Sequence, residues 1–246
     1  MRTFSTTAAL CLALALPAAA LAQDAGKGFL FGAPSGGLTF RGGWAGASAK
    51  SDLFDFTTQN LTLSRGDFSS LEGGIDFAYT VHHNTQLVLS WGLSGVDKQS
   101  EFRNFIDNNN APIQQMTQFR RMPMTLSVKQ YLTSPGQSIG RFAWIPSRAA
   151  VYVGAGGGIE WYRFRQGGDF IDFSTSDVFP DTFTSDGESG VALGFAGFDY
   201  NITPRWAVTT EGRYSWSKAS LSNDFAGFQK LDLSGISTSI GLTVRF

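Results

Sequence analysis

The chain has 246 residues and a formal net charge of −1 at pH 7, which disfavours a nucleic-acid partner because binding phosphate backbones requires an excess of Lys and Arg. Charged residues make up 16% of the sequence, against about 25% in soluble domains, while hydrophobic residues reach 42% and glycines number 29. This mixture is typical of a transmembrane β-barrel, whose strands alternate apolar residues with polar or small ones and contain no long apolar run.

The N-terminus has the three parts of a cleavable signal peptide. The positive charge of Arg2 is followed by an apolar run at 8–16 and by small residues that end at Ala22. The run is shorter than the about 20 residues that a membrane-spanning helix needs. We therefore expect export and cleavage before Gln23.

These boundaries divide the chain into a signal peptide at 1–22, a mature N-terminal segment at 23–36 and a barrel domain at 37–246. The only cysteine, Cys11, lies inside the signal peptide. The mature chain is therefore expected to have no disulfide, no thiolate metal site and no cysteine nucleophile.

Strict alternation of apolar and polar residues predicts the strands of the barrel domain. In one segment Ile75 and Phe77 share one face, while Glu72 and Asp76 share the other. Counting this one, the pattern occurs in eight segments, near 38–44, 71–81, 87–94, 121–129, 151–161, 191–200, 206–216 and 236–246. We predict an all-β fold, a closed antiparallel transmembrane barrel of eight strands in an up-and-down meander, with ten strands as the alternative if a long loop contains a hairpin.

The connections between these segments alternate in length, as expected when short turns face the periplasm and long loops face outward. The turns at 83–85 and 202–204 are short. The segments near 50–68, 99–118, 166–187 and 217–230 are long. The connection at 133–147 is longer than the pattern predicts, and the sequence gives no reason for it.

The sixth segment has an ambiguous phase. Leu193 and Phe195 are out of parity with Phe198 and Tyr200, which indicates a bulge or a change of face.

Large aromatic residues are sorted by strand end, as in the two interfacial girdles of membrane barrels. The predicted girdle residues are Trp44, Trp91, Trp161 and Trp216 toward the loops, and Tyr79, Tyr200 and Trp206 toward the turns. A soluble sandwich, the alternative architecture, predicts one buried face and does not predict this sorting.

The inward face carries charges of both signs. The predicted lumen charge network is Arg41, Glu72, Asp76, Arg121, Lys129, Glu160, Glu211, Arg213 and Arg245. Unpaired buried charges are costly, and the interior of an eight-stranded barrel is only wide enough for side chains. We therefore expect a plugged barrel and not an open pore.

No catalytic, cofactor or metal site is predicted. His82 and His83 are the only histidines, and they are adjacent at a predicted turn, where their side chains point to opposite faces. The glycine run at 154–158 continues into a strand and not into the helix that a dinucleotide site requires.

The long loops are rich in phenylalanine beside acidic residues, and the predicted loop surface comprises Phe54, Phe56, Phe105, Phe170, Phe173, Phe225 and Phe228. One interpretation is that the strands extend beyond the membrane and these rings pack the loops together. The other is an outward surface for a partner, with acidic groups that bind divalent cations near lipopolysaccharide.

The chain resembles the small outer-membrane β-barrels of the OmpA transmembrane-domain, OmpW and opacity-protein type. The matching segments are the strand-turn-strand at 197–206, the following 211–214 and the closing strand at 241–246. In such families a terminal aromatic residue is part of the signal read by the outer-membrane assembly machinery. The resemblance implies that Phe246, with Leu242 and Val244, has this role here.

Three functions follow as hypotheses. The first is a non-enzymatic outer-membrane protein with a structural or surface-interaction role, in contact with outer-membrane lipids, lipopolysaccharide and a possible extracellular ligand. The second, implied by the OmpW resemblance, is a narrow channel for small or hydrophobic solutes. The third, a lipid A-modifying enzyme, lacks a Ser/His/acid cluster near the loops.

Overall fold

The computed structural model describes residues 28–106, 110–172, 175 and 177–246. The predicted signal peptide lies outside this part of the chain. Eleven strands are present in the described residues: β1 (Gly36–Ala47), β2 (Ser70–His82), β3 (Thr85–Ile106), β4 (Pro112–Tyr131), β5 (Gly136–Ile139), β6 (Ala143–Pro146), β7 (Ala149–Ile171), β8 (Val178–Asn201), β9 (Trp206–Ala219), β10 (Leu231–Asp232) and β11 (Gly235–Arg245).

Eight of these strands form a closed antiparallel ring in the order β1, β2, β3, β4, β7, β8, β9 and β11. The ring closes between the first and last strands, where Gly37 pairs with Arg245 and Ala47 with Gly235. The predicted eight-stranded meander barrel is therefore confirmed, and the ten-stranded alternative is wrong. We name the end with short turns periplasmic and the opposite end extracellular.

The two faces of the ring follow the predicted alternation. On β2, Leu71, Ile75 and Phe77 are exposed on the outside, while Glu72 and Asp76 are half-buried inside. Every strand of the ring has exposed apolar residues on its outward face, so a band of apolar side chains surrounds the barrel. Such a band is stable in a bilayer and would be a large apolar patch in water.

Strand β8 keeps one unbroken register with both of its neighbours. The bulge, one of the two alternatives predicted near Leu193, is therefore wrong, whereas the apolar residues do change face, since Phe198 and Tyr200 are exposed on the outside. Val191, Leu193 and Phe195 all face the lumen, where Phe195 packs on Tyr152 with ring centroids 6.2 Å apart. The barrel interior is thus partly apolar, which explains why the alternation is weak in this segment.

Strands β3, β4, β7 and β8 extend beyond the apolar band. The outward residues change from apolar to charged, from Leu93 to Asp97 on β3 and from Trp161 to Arg163 on β7. These extensions account for most of the segments 99–118 and 166–187, which the sequence assigned to loops. They form a four-stranded extracellular sheet whose outer face is in water.

The extracellular mouth is filled by the segment between β1 and β2. Helix α1 (Asp52–Asn60) buries Leu53, Phe54 and Thr57 on one face, and its last turn is closed by the amide of Leu61, which donates to the Thr57 carbonyl. The Phe54 ring makes edge contacts with Phe68, Phe119 and Phe164 at centroid distances of 4.7, 5.5 and 5.8 Å. We call this apolar cluster the extracellular plug.

The periplasmic end is covered by the connection that the sequence left unexplained. Strands β5 and β6 form a hairpin, and Leu30 of the N-terminal segment pairs with Trp144 on β6. Trp144 is buried, with the Arg245 guanidinium 5.8 Å from its ring centroid. The length of the 133–147 connection is therefore explained by a hairpin that closes this end. Among the described residues, no helix is long and apolar enough to cross a membrane.

Candidate functional site in the lumen and at the extracellular surface

The middle of the lumen contains a charge cluster on the walls formed by β1, β2 and β9. Arg41 donates to Glu72 at 3.1 Å and to Asp76 at 3.1 Å. Arg213 donates to Glu211 at 2.8 Å on the same strand, and Tyr152 donates to the other Glu211 oxygen at 3.0 Å. The side chains of Arg41 and Asp76 are 5% and 13% exposed, so these contacts act with little screening by water.

The periplasmic half of the lumen is organised around Asp199, which the sequence analysis missed. Its carboxylate accepts hydrogen bonds from Tyr131 at 2.6 Å and from Thr209 at 2.8 Å. Lys129 and Arg245 each lie 3.4 Å from the same carboxylate. One carboxylate thus connects β4, β8, β9 and β11 across the interior.

Arg121 and Glu160 occupy the extracellular half of the lumen. Arg121 donates to the carbonyl of Leu233 at 2.9 Å, which ties the barrel wall to the segment before β11. Glu160 is buried, and its Oε2 has no hydrogen-bond partner among the described residues. Both side chains line a cavity of about 50 Å³ together with Arg41 and Arg213. This volume and its polar lining suit a few water molecules, which would satisfy the free carboxylate oxygen.

These three clusters and the extracellular plug are distributed along the lumen, with the 50 Å³ cavity between them. The interior of an eight-stranded barrel holds little more than its own side chains. All nine residues of the predicted lumen charge network face this interior. The structure adds Asp199, Tyr131 and Tyr152 to them.

The predicted girdle residues are exposed on the outer face of the barrel. Near the periplasmic end, Tyr79 pairs with Gly36 and Tyr200 with Ala149, each at the first residue of a strand. Trp206 begins β9 on the same side. Trp44 and Trp216 lie toward the extracellular end of their strands. Trp161 lies near the middle of β7, and Trp91 pairs with Ile75 and Met124.

The predicted loop surface is divided by the structure. Phe54 and Phe225 are buried in the extracellular plug, so they cannot contact a partner while the loops are folded. Phe170 and Phe228 are partly buried, and Phe228 packs on Phe56 at 5.6 Å. Only Phe56 and Phe105, each 39% exposed, are well accessible, and Phe173 lies outside the described residues. Most of these rings therefore hold the extracellular segments together.

His82 and His83 lie at the periplasmic end, with ring centroids 5.1 Å apart. They line a polar cavity of about 680 Å³ between the N-terminal segment, the β5–β6 hairpin and the turn after β2. Within the described residues, no group of three or more His, Cys, Asp or Glu side chains is arranged to hold a metal ion.

The closing strand places Leu242, Val244 and Phe246 on the outer face. The Phe246 ring lies 6.2 Å from that of Phe77, and its carbonyl accepts the amides of Ser35 and Gly36 at 2.8 and 3.1 Å. The end of β11 is therefore fixed against the start of the chain.

No protein-family model and no curated protein matches the sequence. Solved structures do match. The chain is similar to small outer-membrane β-barrels. Outer membrane protein OprG from Pseudomonas aeruginosa is 17% identical, with 88% of this chain and 99% of that chain covered and a TM-score of 0.48. Neisserial surface protein A is 13% identical, with 89% and 98% covered and a TM-score of 0.46. Outer membrane protein W from E. coli is 17% identical, with 87% and 99% covered and a TM-score of 0.39.

The resemblance predicted from the sequence is confirmed at the level of the fold. The closed ring of eight strands establishes that fold by itself.

Proposed function

We propose that the protein is an integral outer-membrane barrel that acts through its extracellular surface, by binding a partner there, and not as an open pore or an enzyme. The observation that carries the proposal is the contrast between a filled lumen and a long exposed sheet. Strands β3, β4, β7 and β8 are 20 to 24 residues long, far more than the about 9–11 that cross a bilayer.

The outer face of this sheet is polar and contains both charges. Asp97 and Arg120 are 3.5 Å apart across β3 and β4, while Arg163 and Arg165 on β7 have no ion pair within the described residues. The extracellular plug supports the inner face of the sheet. The inner face of this sheet packs on the plug and its outer face is charged, which suits it to recognise a protein or glycan surface.

The proposal includes the cellular setting. The predicted chain organisation has three consequences. The signal peptide at 1–22 directs export, and the assembly machinery recognises Phe246 with Leu242 and Val244. The apolar band then contacts outer-membrane lipids. Membrane fractionation combined with heat-modifiable migration tests this part. Recovery of the mature chain in the soluble fraction would contradict it.

Two measurements test the surface role. Planar-bilayer recording should give no stable conductance above leak, and cells that express the protein should adhere to at least one member of a panel of immobilised proteins and glycans. The Arg163→Gln, Arg165→Gln variant should lose that adherence, whereas Lys50→Gln, Lys218→Gln, on the opposite wall, should keep it. Stable conductance, or adherence equal to that of cells without the protein, would contradict the proposal.

A second candidate is a narrow route for small apolar solutes, favoured by one observation. The pairing of β3 with β4 is interrupted between Trp91–Met124 and Ser94–Arg121, and Pro123 lies in this gap. Proline has no amide hydrogen and therefore cannot donate to the hydrogen-bond ladder. Pro123 and Gly92 also line the 50 Å³ cavity. If solutes pass here, uptake of a small alkane into liposomes should fall when Pro123→Val restores the ladder, and unchanged uptake would reject this route.

A further inference from the structure

A third polar cavity lies on the extracellular side of the barrel wall, opposite the long sheet. It measures about 290 Å³, is open to the outside, and is bordered by the start of α1, the end of β9 and the segment 229–234. Lys50, Lys218 and Lys230 contribute to its lining, together with Ser51. Three elements that are distant in sequence therefore bring three ammonium groups to one cavity.

The lining also contains two carboxylates, those of Asp52 and Asp232, so three lysines and two aspartates give it a formal net charge of +1. Asp52 accepts the amides of Leu53 at 2.9 Å and of Gln229 at 2.8 Å. Asp232 accepts the amides of Lys50 at 3.2 Å and Ser234 at 3.1 Å. These carboxylates fasten the loops, and no ion pair within 4 Å involves any of the three lysines in the described part of the chain. The cavity therefore has one positive charge in excess, and the three ammonium groups are not held in ion pairs with its carboxylates.

The Ser51 hydroxyl is a second and independent indication of a ligand. Ser51 is 9% exposed, lines the cavity, and its Oγ has no hydrogen-bond partner among the described residues. It occupies the N-cap position of the nine-residue α1, yet its side chain does not cap the helix. A buried hydroxyl without a partner is unfavourable, so a ligand oxygen at this point would satisfy it. The positive end of the helix dipole favours an anionic ligand.

The position of the cavity relative to the membrane indicates where the anion comes from. Tyr214 lines the cavity, and its ring lies 4.7 Å from that of Trp216, a girdle residue on the same outward face of β9. Lys218 follows two positions above Trp216 on that face. Aromatic girdles mark the level of the lipid headgroups, and the main anions at that level are headgroup phosphates.

We propose that this cavity binds the phosphate of a headgroup in the outer leaflet, with Lys50, Lys218 and Lys230 as cationic ligands and the Ser51 hydroxyl as a donor. A bound headgroup would hold this side of the barrel at a fixed position relative to the membrane surface. The site does not depend on any partner that the long sheet binds. Lysine suits this role as a point charge for phosphate.

The test uses the full mature chain folded in phosphate-free detergent and titrated with diphosphorylated lipid A, with the dephosphorylated glycolipid or with inorganic phosphate, followed by ³¹P NMR and native mass spectrometry. The variant Lys50→Gln, Lys218→Gln, Lys230→Gln removes the three charges. The matched control, Arg65→Gln, Arg103→Gln, Arg120→Gln, removes three positive charges from extracellular segments that do not line the cavity. Heat-modifiable migration confirms that each variant is folded.

Affinity for lipid A should fall at least about tenfold in the lysine variant, because each charge-assisted contact is worth a factor of several, and less than about twofold in the arginine control. The dephosphorylated glycolipid should bind the parent no better than the lysine variant. Equal losses in the two triple variants would mean general electrostatic attraction and would overturn the site. Inorganic phosphate binding as tightly as lipid A would overturn the lipid source.

The variant Ser51→Ala tests whether the Ser51 hydroxyl binds the phosphate or stabilises the fold. Because the hydroxyl has no partner in the protein, its removal should leave the unfolding temperature unchanged or raised, while lipid A affinity drops a few fold. Unchanged affinity in this variant would remove Ser51 from the site. A lowered unfolding temperature would show that the hydroxyl has a structural partner and would contradict its assignment as a free donor.

Discussion

Replacing Asp199 with asparagine removes one charge from the most widely shared carboxylate of the lumen and keeps its shape. Lys129 and Arg245 each lie 3.4 Å from that carboxylate, with side chains 12% and 6% exposed, and neither has another carboxylate within 4 Å in the described residues. Breaking such a buried ion pair on one side costs about 3–5 kcal/mol, because uncompensated charges stay buried. Asp199→Asn should therefore lower the free energy of unfolding by about this amount.

The assay is the temperature at which the folded, fast-migrating band disappears in detergent. For a chain of this size, a loss of 3–5 kcal/mol corresponds to a fall of roughly 6–20 °C. Asp97→Asn is the matched control, because its ion pair with Arg120 is 46% and 53% exposed on the sheet surface and is worth less than about 1 kcal/mol. In the Asp199→Asn background, Lys129→Met should recover part of the loss. If Asp199→Asn shifts the transition no more than Asp97→Asn, Asp199 does not organise the lumen.

Three further changes test other parts of the fold. Phe54→Ala removes a fully buried ring and should cost about 3–5 kcal/mol of packing free energy. The variant should make α1 sensitive to protease, while the band of the folded barrel persists on gels. A loop as resistant to protease as that of the parent would contradict the plug. In Gly158→Ala the new Cβ would lie 2.0 Å from the Met124 carbonyl oxygen, so the folded fraction should fall, whereas Gly190→Ala, with no atom within 4 Å, should fold normally; similar yields would refute the close approach of β4 and β7. Hydrogen bonds from Ser64 lower the pKa of Asp67 below its ordinary 3.8, so its contribution to stability is present above that pH and is lost on acidification. The protection factors of the amides at 64–69, measured against the intrinsic exchange rate at each pH, should fall below pH 3.8 in the parent. In Asp67→Asn these protection factors should not change with pH, and the same fall in both proteins would contradict the assignment.

The strands of the barrel could be predicted because most inward residues are polar or small. Glu72 and Asp76 on β2 alternate cleanly with Ile75 and Phe77, so parity alone assigns the faces. In β8 the inward residues Val191 and Leu193 are as apolar as the outward ones, and parity carries no information there.

The same ambiguity concealed Asp199. It lies between Phe198 and Tyr200, and its inward direction follows only if the phase of Val191 is carried through the whole strand. With that phase, Asp199 is placed opposite Thr209 and beside Lys129, so the signal was present but weak. The partners of Asp199 come from three other strands, β4, β9 and β11, and they meet only because of the registers of the intervening strands.

The two segments that close the ends of the lumen, helix α1 and the β5–β6 hairpin, could not be predicted, because both are short and depend on tertiary contacts. Helix α1 has only nine residues, which is too short to be stable alone, and it forms because Leu53 and Phe54 are buried in the plug. The β5–β6 hairpin has four residues per strand and depends on Trp144 and Leu30. The phenylalanines of the loops were recognised, but which of them are inside was decided by these contacts.

The charged lumen has a consequence for how the chain enters the membrane. While the seam between β1 and β11 is open, Arg41 and Arg213 would face hydrocarbon, and each arginine near the midplane of a bilayer costs about 2–4 kcal/mol. Contacts across the seam, such as the 2.8 Å hydrogen bond between Thr39 and Thr243, also form only when the ring closes. Stepwise insertion of single hairpins is therefore disfavoured, and the chain is expected to pass into the bilayer as a nearly completed cylinder with its charges already enclosed.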